Sequence, residues 1–301
     1  MPGLAPAYND RNINPSTRMD HNLYAFSIIR DRAPVTWPNS ARVALAVVIN
    51  VDFGDLIPEG GSAAAIPLRE WSHRDYGARV GIFRLMQILD DLDIKATVPI
   101  NDAVLKRSPA VVSQALDRGW ELAGHGAKAN MAISSAMSEE AEWAYITSSY
   151  AAIKRETGVA PRGWLGPAMT ESSRTPFMLA KAGFDYTLDW GNDDQPYDFL
   201  APEGKLTALP YSPDTSDAVY IGAANHTAWE FEDQLKDHFD TIYAEGASTG
   251  MTMTLGLQAH VSGQPFRSKY IRSFLEYTRT KADVWYATGS EVVDAYRAEN
   301  H

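Results

Sequence analysis

Residues 42–53, Arg-Val-Ala-Leu-Ala-Val-Val-Ile-Asn-Val-Asp-Phe, form an almost unbroken apolar, β-branched run. A strand with one wet face alternates apolar and polar residues, whereas a run without alternation must be covered on both faces. That requirement points to a parallel sheet or barrel wrapped by helices. The run ends on Asn50-Val51-Asp52, and the two-residue repeat of a strand puts Asn50 and Asp52 on one side.

The rest of the chain repeats the theme. Shorter strand patterns occur at 96–100, 120–124, 163–166, 184–190, 206–211, 218–221, 251–260 and 284–287. Between them lie helical patterns: an apolar stripe from Val80 to Leu92, a helix opened by Pro109, one opened by Ser138 with Glu139 and Glu140, and others at about 175–182, 228–245, 266–281 and 290–299. Strands alternating with helices over this length predict an α/β barrel or a doubly wound sheet. No Gly-x-Gly-x-x-Gly or Walker pattern follows an early strand, which favours the barrel. Residues 56–75 read as a long loop over its rim. Residues 1–40, rich in Pro, Asn and Arg, read as an extended arm over the surface or into a neighbouring subunit, leaving 41–301 as a single barrel domain.

Composition narrows the function. A net charge of -11 over 301 residues argues against nucleic acid or an anionic membrane as partner and favours a small-molecule substrate. There is no cysteine, so disulfides, thiolate metal sites and a Cys nucleophile are excluded together. No leader pattern or apolar run of membrane-spanning length is visible, and a cytoplasmic location is the expectation.

Polar residues gather where strands end: Asn50 and Asp52, Asn101 and Asp102, His125, Asp189 to Asp194, and Gln258 with His260. Barrel enzymes build their sites at such ends. His125 stands between Gly124 and Gly126, where the backbone is free to turn. Asp52, His125 and His260 could act in proton transfer or serve as three metal ligands. Glu171, Asp193 and Asp194 add carboxylates, Trp164 and Trp190 could stack on a ligand, and Arg79 could clamp a carbonyl. No Gly-x-Ser-x-Gly elbow exists, so a covalent serine mechanism ranks low.

Several segments taken together resemble the polysaccharide deacetylase (NodB-homology) superfamily. They are Met19 to Phe26, Trp37 to Val43, Asp75-Tyr-Gly-Ala-Arg-Val-Gly81, Gly119 to Gly126, Gly163-Trp-Leu-Gly-Pro167 with Glu171, Asp189 to Pro196, and Val261 to Arg267. The resemblance is strongest to its allantoinase-like and peptidoglycan-deacetylase-like branch, which is also similar to metal-independent cyclic imide hydrolases. It implies a distorted (β/α) barrel of seven or eight strands, a homotetramer, and hydrolysis of a non-peptide C–N bond in a small amide, cyclic imide or ureide. By the same resemblance Asn50 stands at the usual base position, Asp52 at the metal aspartate, His125 at the first metal histidine, Ala129 at the second and Gln258 at the acid histidine. A metal-free site is therefore expected, with a zinc-type site on Asp52, His125 and His260 as the alternative. Asp52, His125 and His260 are the catalytic candidates. Asn50, Arg79, Trp164, Glu171, Trp190, Asp194 and Gln258 are the candidates for holding substrate. A binding protein that has lost the chemistry, or a metal-dependent glycan N-deacetylase, are the other readings.

Overall fold

The computed structural model describes residues 21–57 and 68–300. Strand β1 (Val43–Asn50) is buried at all eight positions, as its unbroken apolar run requires. Each of its large aliphatic side chains contributes about 1.5–3 kcal/mol by leaving water. On one edge β1 pairs in parallel with β8 (Met251–Gln258) along its whole length, so that Asn50 stands opposite Gln258. On the other edge it meets β2 (Ala96–Ile100) and, nearer its start, β9 (Val284–Tyr286). The sheet continues from β2 through β3 (Glu121–Gly124), β4 (Gly163–Trp164), β5 (Tyr186–Thr187) and β7 (Thr207–Ala208), all parallel, to an antiparallel edge strand, β6 (Tyr197–Asp198). A single parallel bridge from Ser216 to Gly256 brings the far side back to β8, and the sheet curls into a distorted, incompletely closed barrel.

Helices wrap the outside. Helix α2 (Ile82–Asp91) buries Ile82, Leu85, Met86, Ile88 and Leu89 against the sheet. After β2 come two short helices, α3 (Asp102–Arg107) and α4 (Pro109–Asp117). Helix α5 (Glu139–Thr157) starts where the Ser138 hydroxyl accepts from the Ala141 N–H at 3.2 Å. Helices α6 (Thr175–Ala182), α7 (Ala228–Glu245), α8 (Pro265–Arg279) and α9 (Gly289–Asn300) complete the outer layer close to the expected bounds. Among the described residues no helix is long and apolar enough to cross a membrane.

Three expectations need correction. Part of the stretch expected as a rim loop is helix α1 (Leu68–Tyr76), which runs through a wider π-helical turn at 77–81 into α2. It buries none of its residues and so has no apolar stripe to reveal it. Residues 218–221, expected as a strand, fall in another π-helical turn, Ala218–Ala223. Strand β8 ends at Gln258, so His260 lies in the turn beyond it and is not held on the strand face. Of the expected arm, residues 1–20 lie outside the described residues. The remainder packs on its own barrel: Trp37 is buried with its indole N–H donating to Met251 O at 2.8 Å.

Candidate active site at the strand ends

The barrel brings Asp52 and His125 to one corner. His125 follows β3 directly, and its backbone N–H donates to Ile100 O at 3.1 Å, which ties it to the neighbouring strand. Its Nδ1 lies 2.5 Å from Leu165 O. A carbonyl only accepts, so Nδ1 donates to it and Nε2 is left for the site. That Nε2 faces Asp52 Oδ2 at 3.7 Å. Gly126, with φ of +64°, turns the chain away at once, and a Cβ there would overlap the Tyr145 hydroxyl.

The third member of the corner was not among the sequence candidates. Arg74, on α1, places Nη1 at 2.7 Å from both carboxylate oxygens of Asp52. Burial alone would push Asp52 toward neutrality. The His125 hydrogen bond and the charge of Arg74 outweigh it and hold the carboxyl well below its usual range. Asp52 is thus a fixed anion rather than a ready proton acceptor.

His260 caps this corner. Its ring meets His73 of α1 edge-on, with centroids 5.5 Å apart, and the backbone of Gly77 packs so closely on it that a Cβ would come within 2.8 Å of His260 N. Burial lowers its pKa to about 4 against the pull of Asp52, with Arg74, His73 and Arg267 lowering it further. The ring is neutral at physiological pH. Its turn is pinned by Asp217, a fully buried carboxylate that accepts from Gln258 N at 2.8 and 3.0 Å and from Ser262 N at 3.2 Å. Burial raises Asp217 to about 7, although the Ser262 hydroxyl and both N–H donors oppose the rise.

Asn50 and Gln258, paired in register across β1 and β8, line the same end. Asn50 is 1% exposed, and its amide nitrogen reaches the Tyr211 hydroxyl at 3.4 Å. The carbonyl oxygens of both side chains are buried with no partner among the described residues. Buried amides left with one edge unmet are suited to an amide-like ligand that completes them.

Behind His125 lies a carboxyl pair. The peptide between Leu165 and Gly166 accepts from His125 through its carbonyl, while its N–H donates to Asp189 Oδ1 at 2.7 Å. Glu171 accepts from the Trp190 indole at 3.1 Å. Burial raises Glu171 to about 10 and Asp189 to about 6. Two buried carboxyl groups this close cannot both ionise, so they share one proton. Glu171 and Trp190 therefore brace the floor under His125, one layer back from the site corner.

Three of the proposed substrate contacts are elsewhere. Arg79 is 74% exposed and forms a surface ion pair with Asp75 at 3.3 Å. Trp164 is fully buried, edge-on to Tyr145 and Phe184, and serves as core rather than as a wall of the pocket. Asp194 lies at the opposite end of the barrel. Its carbonyl accepts from Thr252 N at the start of β8, about 20 Å along the strand from Gln258. Neighbouring Asp193 pairs with Arg32 at 2.5 Å there. At the second strand end, Asn101 is structural: it caps α3 at Val104 N and donates to Phe53 O at 2.8 Å.

A divalent metal does not fit this donor set. The spacing of Asp52 Oδ2 and His125 Nε2 alone would suit two ligands at about 2.0–2.2 Å from one ion. However, Ala129, held by its N–H to Phe53 O at 2.8 Å, brings no donor, and a guanidinium nitrogen already sits on the carboxylate. His260 does not complete the alternative set. Among the described residues no group of three His, Cys, Asp or Glu side chains could hold an ion.

A family profile described as polysaccharide deacetylase matches residues 74–187, a span that includes Arg74 and His125 but not Asp52 or His260. A Schizosaccharomyces pombe protein with the provisional name polysaccharide deacetylase is 25% identical over 299 residues, covering 88% of this chain and 93% of that protein. The crystal structure of Puue allantoinase superposes with a TM-score of 0.80 at 25% identity, over 89% of this chain and 94% of the other. A Mycobacterium smegmatis structure, also provisionally named polysaccharide deacetylase, gives 0.78 at 26%, over 89% and 95%.

Proposed function

Because this chain carries a polysaccharide deacetylase family domain, we propose that it is a metal-free hydrolase of a non-peptide C–N bond in a small amide, cyclic imide or ureide. The observation that carries this reading is the pairing of Asp52 with His125 at the strand ends, closed by a side-chain cation, with His260 in the turn after β8. Two imidazoles beside a fixed anion, His260 being neutral, can move a proton without an ion to acidify the water. In the reaction, a water oxygen adds to the substrate carbonyl as its proton passes to a neutral imidazole. The carbonyl oxygen becomes an oxyanion. Its collapse breaks the C–N bond, and the same proton is delivered to the leaving nitrogen.

His260 suits the shuttle, since it is neutral at rest and lies close enough to feel the charge of Asp52. His125, with Nδ1 held by Leu165 O, orients the water through Nε2. The carbonyl oxygens of Asn50 and Gln258, unmet among the described residues, would accept N–H groups of a ureide or imide. The likeness to an allantoinase structure supports the same substrate class.

A panel of hydantoins, cyclic imides, linear ureides and N-acetylated sugars, assayed with wild type and His125→Ala, tests the proposal. Turnover of at least one imide or ureide, lost in the folded variant, is the expected result. Turnover of acetylated sugars alone would overturn the substrate class, and binding without turnover of any compound would overturn the hydrolase reading.

A further inference from the structure

Asp52 is buried and anionic, so the site must contain a countercharge. Its two oxygens are both held by one nitrogen of Arg74, at 2.7 Å each, while His125 Nε2 faces the same carboxylate at 3.7 Å. A buried carboxylate with an imidazole nitrogen beside it defines the place for a cation. We propose that the Arg74 guanidinium is the resident cation of this site, occupying the corner that a metal ion would need and stabilising the substrate oxyanion in its place. The occupancy stands on the geometry of Arg74, Asp52 and Ala129. The catalytic half rests on the hydrolase reading above.

Arginine suits the task. Its charge is permanent at any working pH, and its planar fork can hold a carboxylate with one nitrogen while another points elsewhere. Nη1 is taken by Asp52, and Nε lies 3.8 Å from Glu70 at the exposed side of α1. Nη2 has no partner among the described residues. It is free to donate to a carbonyl oxygen that gains charge as water adds. The backbone supports this placement, since α1 passes into the π-helical turn at Gly77, which is packed against His260. The same turn that admits His260 therefore brings Arg74 over Asp52.

The occupancy predicts competition between arginine and metal. Ala129, beside Phe53, is where a third ligand could be restored. Cobalt(II) titrations, read by visible absorption and calorimetry, would compare wild type, Ala129→His, Arg74→Ala and the double variant, each checked for folding by circular dichroism. Wild type and Ala129→His should bind cobalt weakly or not at all. The double variant should bind one ion, with the intense bands of a four-coordinate site, at least about 100-fold more tightly than Ala129→His, because a neighbouring positive charge is gone. Equal binding by Ala129→His and the double variant would overturn the assignment, as would a folded double variant that binds no cobalt. For the catalytic half, Arg74→Ala should lose turnover of any substrate found in the panel and regain part of it in added guanidinium chloride. Loss without rescue by guanidinium would refute the catalytic role. If no compound is turned over, the hydrolase reading fails while the cobalt titrations still decide what occupies the corner.

Discussion

Glu142 offers the sharpest quantitative prediction, because it is a fully buried carboxylate whose partners all hold one functional segment. It lies on α5, 0% exposed. Ser172 Oγ donates to its oxygens at 2.8 Å, Thr175 Oγ1 at 2.5 Å, and Arg174 through Nη2 at 2.8 Å and Nε at 3.2 Å. These residues follow Glu171 directly, so the network fixes the loop that carries the carboxyl pair under His125. Glu142→Ala would strand two buried hydroxyls and release the Arg174 guanidinium. Each buried hydroxyl left without its acceptor costs about 1–3 kcal/mol, while the Arg174 side chain, 35% exposed, can turn to water. With a dependence of about 2–4 °C per kcal/mol in chains somewhat shorter than this one, the melting temperature should fall by roughly 10 °C. Glu142→Gln keeps one acceptor and should lose about 1–3 kcal/mol. Guanidinium unfolding monitored by far-ultraviolet dichroism measures both, and a double-mutant cycle with Arg174→Ala isolates the charge pair. A loss below about 1 kcal/mol for Glu142→Ala, the range of an exposed pair, would refute the argument that burial makes this network matter.

Other outcomes follow from the same geometry. His260 has its pKa lowered to about 4, so kcat/KM should hold from neutral pH down to about pH 5 and fall only as the ring protonates; an acid limb near pH 7 would show that a different group titrates. For Asp217, a folded-state pKa raised to about 7 means that its contribution to stability is fully present below the unfolded carboxylate value near 4. That contribution declines at up to about 1.4 kcal/mol per pH unit and is gone once pH has risen through about 7. Asp217→Asn removes this titration, so the stability difference between variant and wild type should change between pH 4 and 7, and a constant difference would contradict the burial argument. Gly126→Ala combines a left-handed backbone with overlap on the Tyr145 hydroxyl and should destabilise the protein by roughly 2–4 kcal/mol. An unchanged unfolding midpoint would disprove that account.

Much of the architecture follows from local chemistry. The run at 42–53 has no polar face, so it must be a covered strand, and it is the one on which the sheet is centred. Ser138 and Pro109 open helices because a side-chain acceptor or a missing N–H suits the first turn. Asp52 and His125 were also legible, since a polar residue at the end of an apolar strand emerges at the open end of a parallel barrel. These readings need only neighbours in sequence.

What stayed hidden depended on neighbours in space. Arg74 and Arg79 look alike in the chain, but one sits on α1 and the other in the π-helical turn after it, and they leave the helix on different sides. Only the docking of α1 turns one onto Asp52 and leaves the other in solvent. Helix α1 itself has no buried residue and so no apolar period to read. Asp189 and Asp194 share a polar segment, yet the chain reverses between them. One accepts from Gly166 beside His125, and the other meets the start of β8 at the far end of the barrel. Trp164 and Trp190 are equally aromatic, and burial alone made one core and the other a donor to Glu171. Strand periodicity and capping are set by bonds within a few residues. Which charge meets which, and at what cost in desolvation, is set by contacts such as Arg74–Asp52 and Asp217–Gln258, which exist only after the barrel has closed around them.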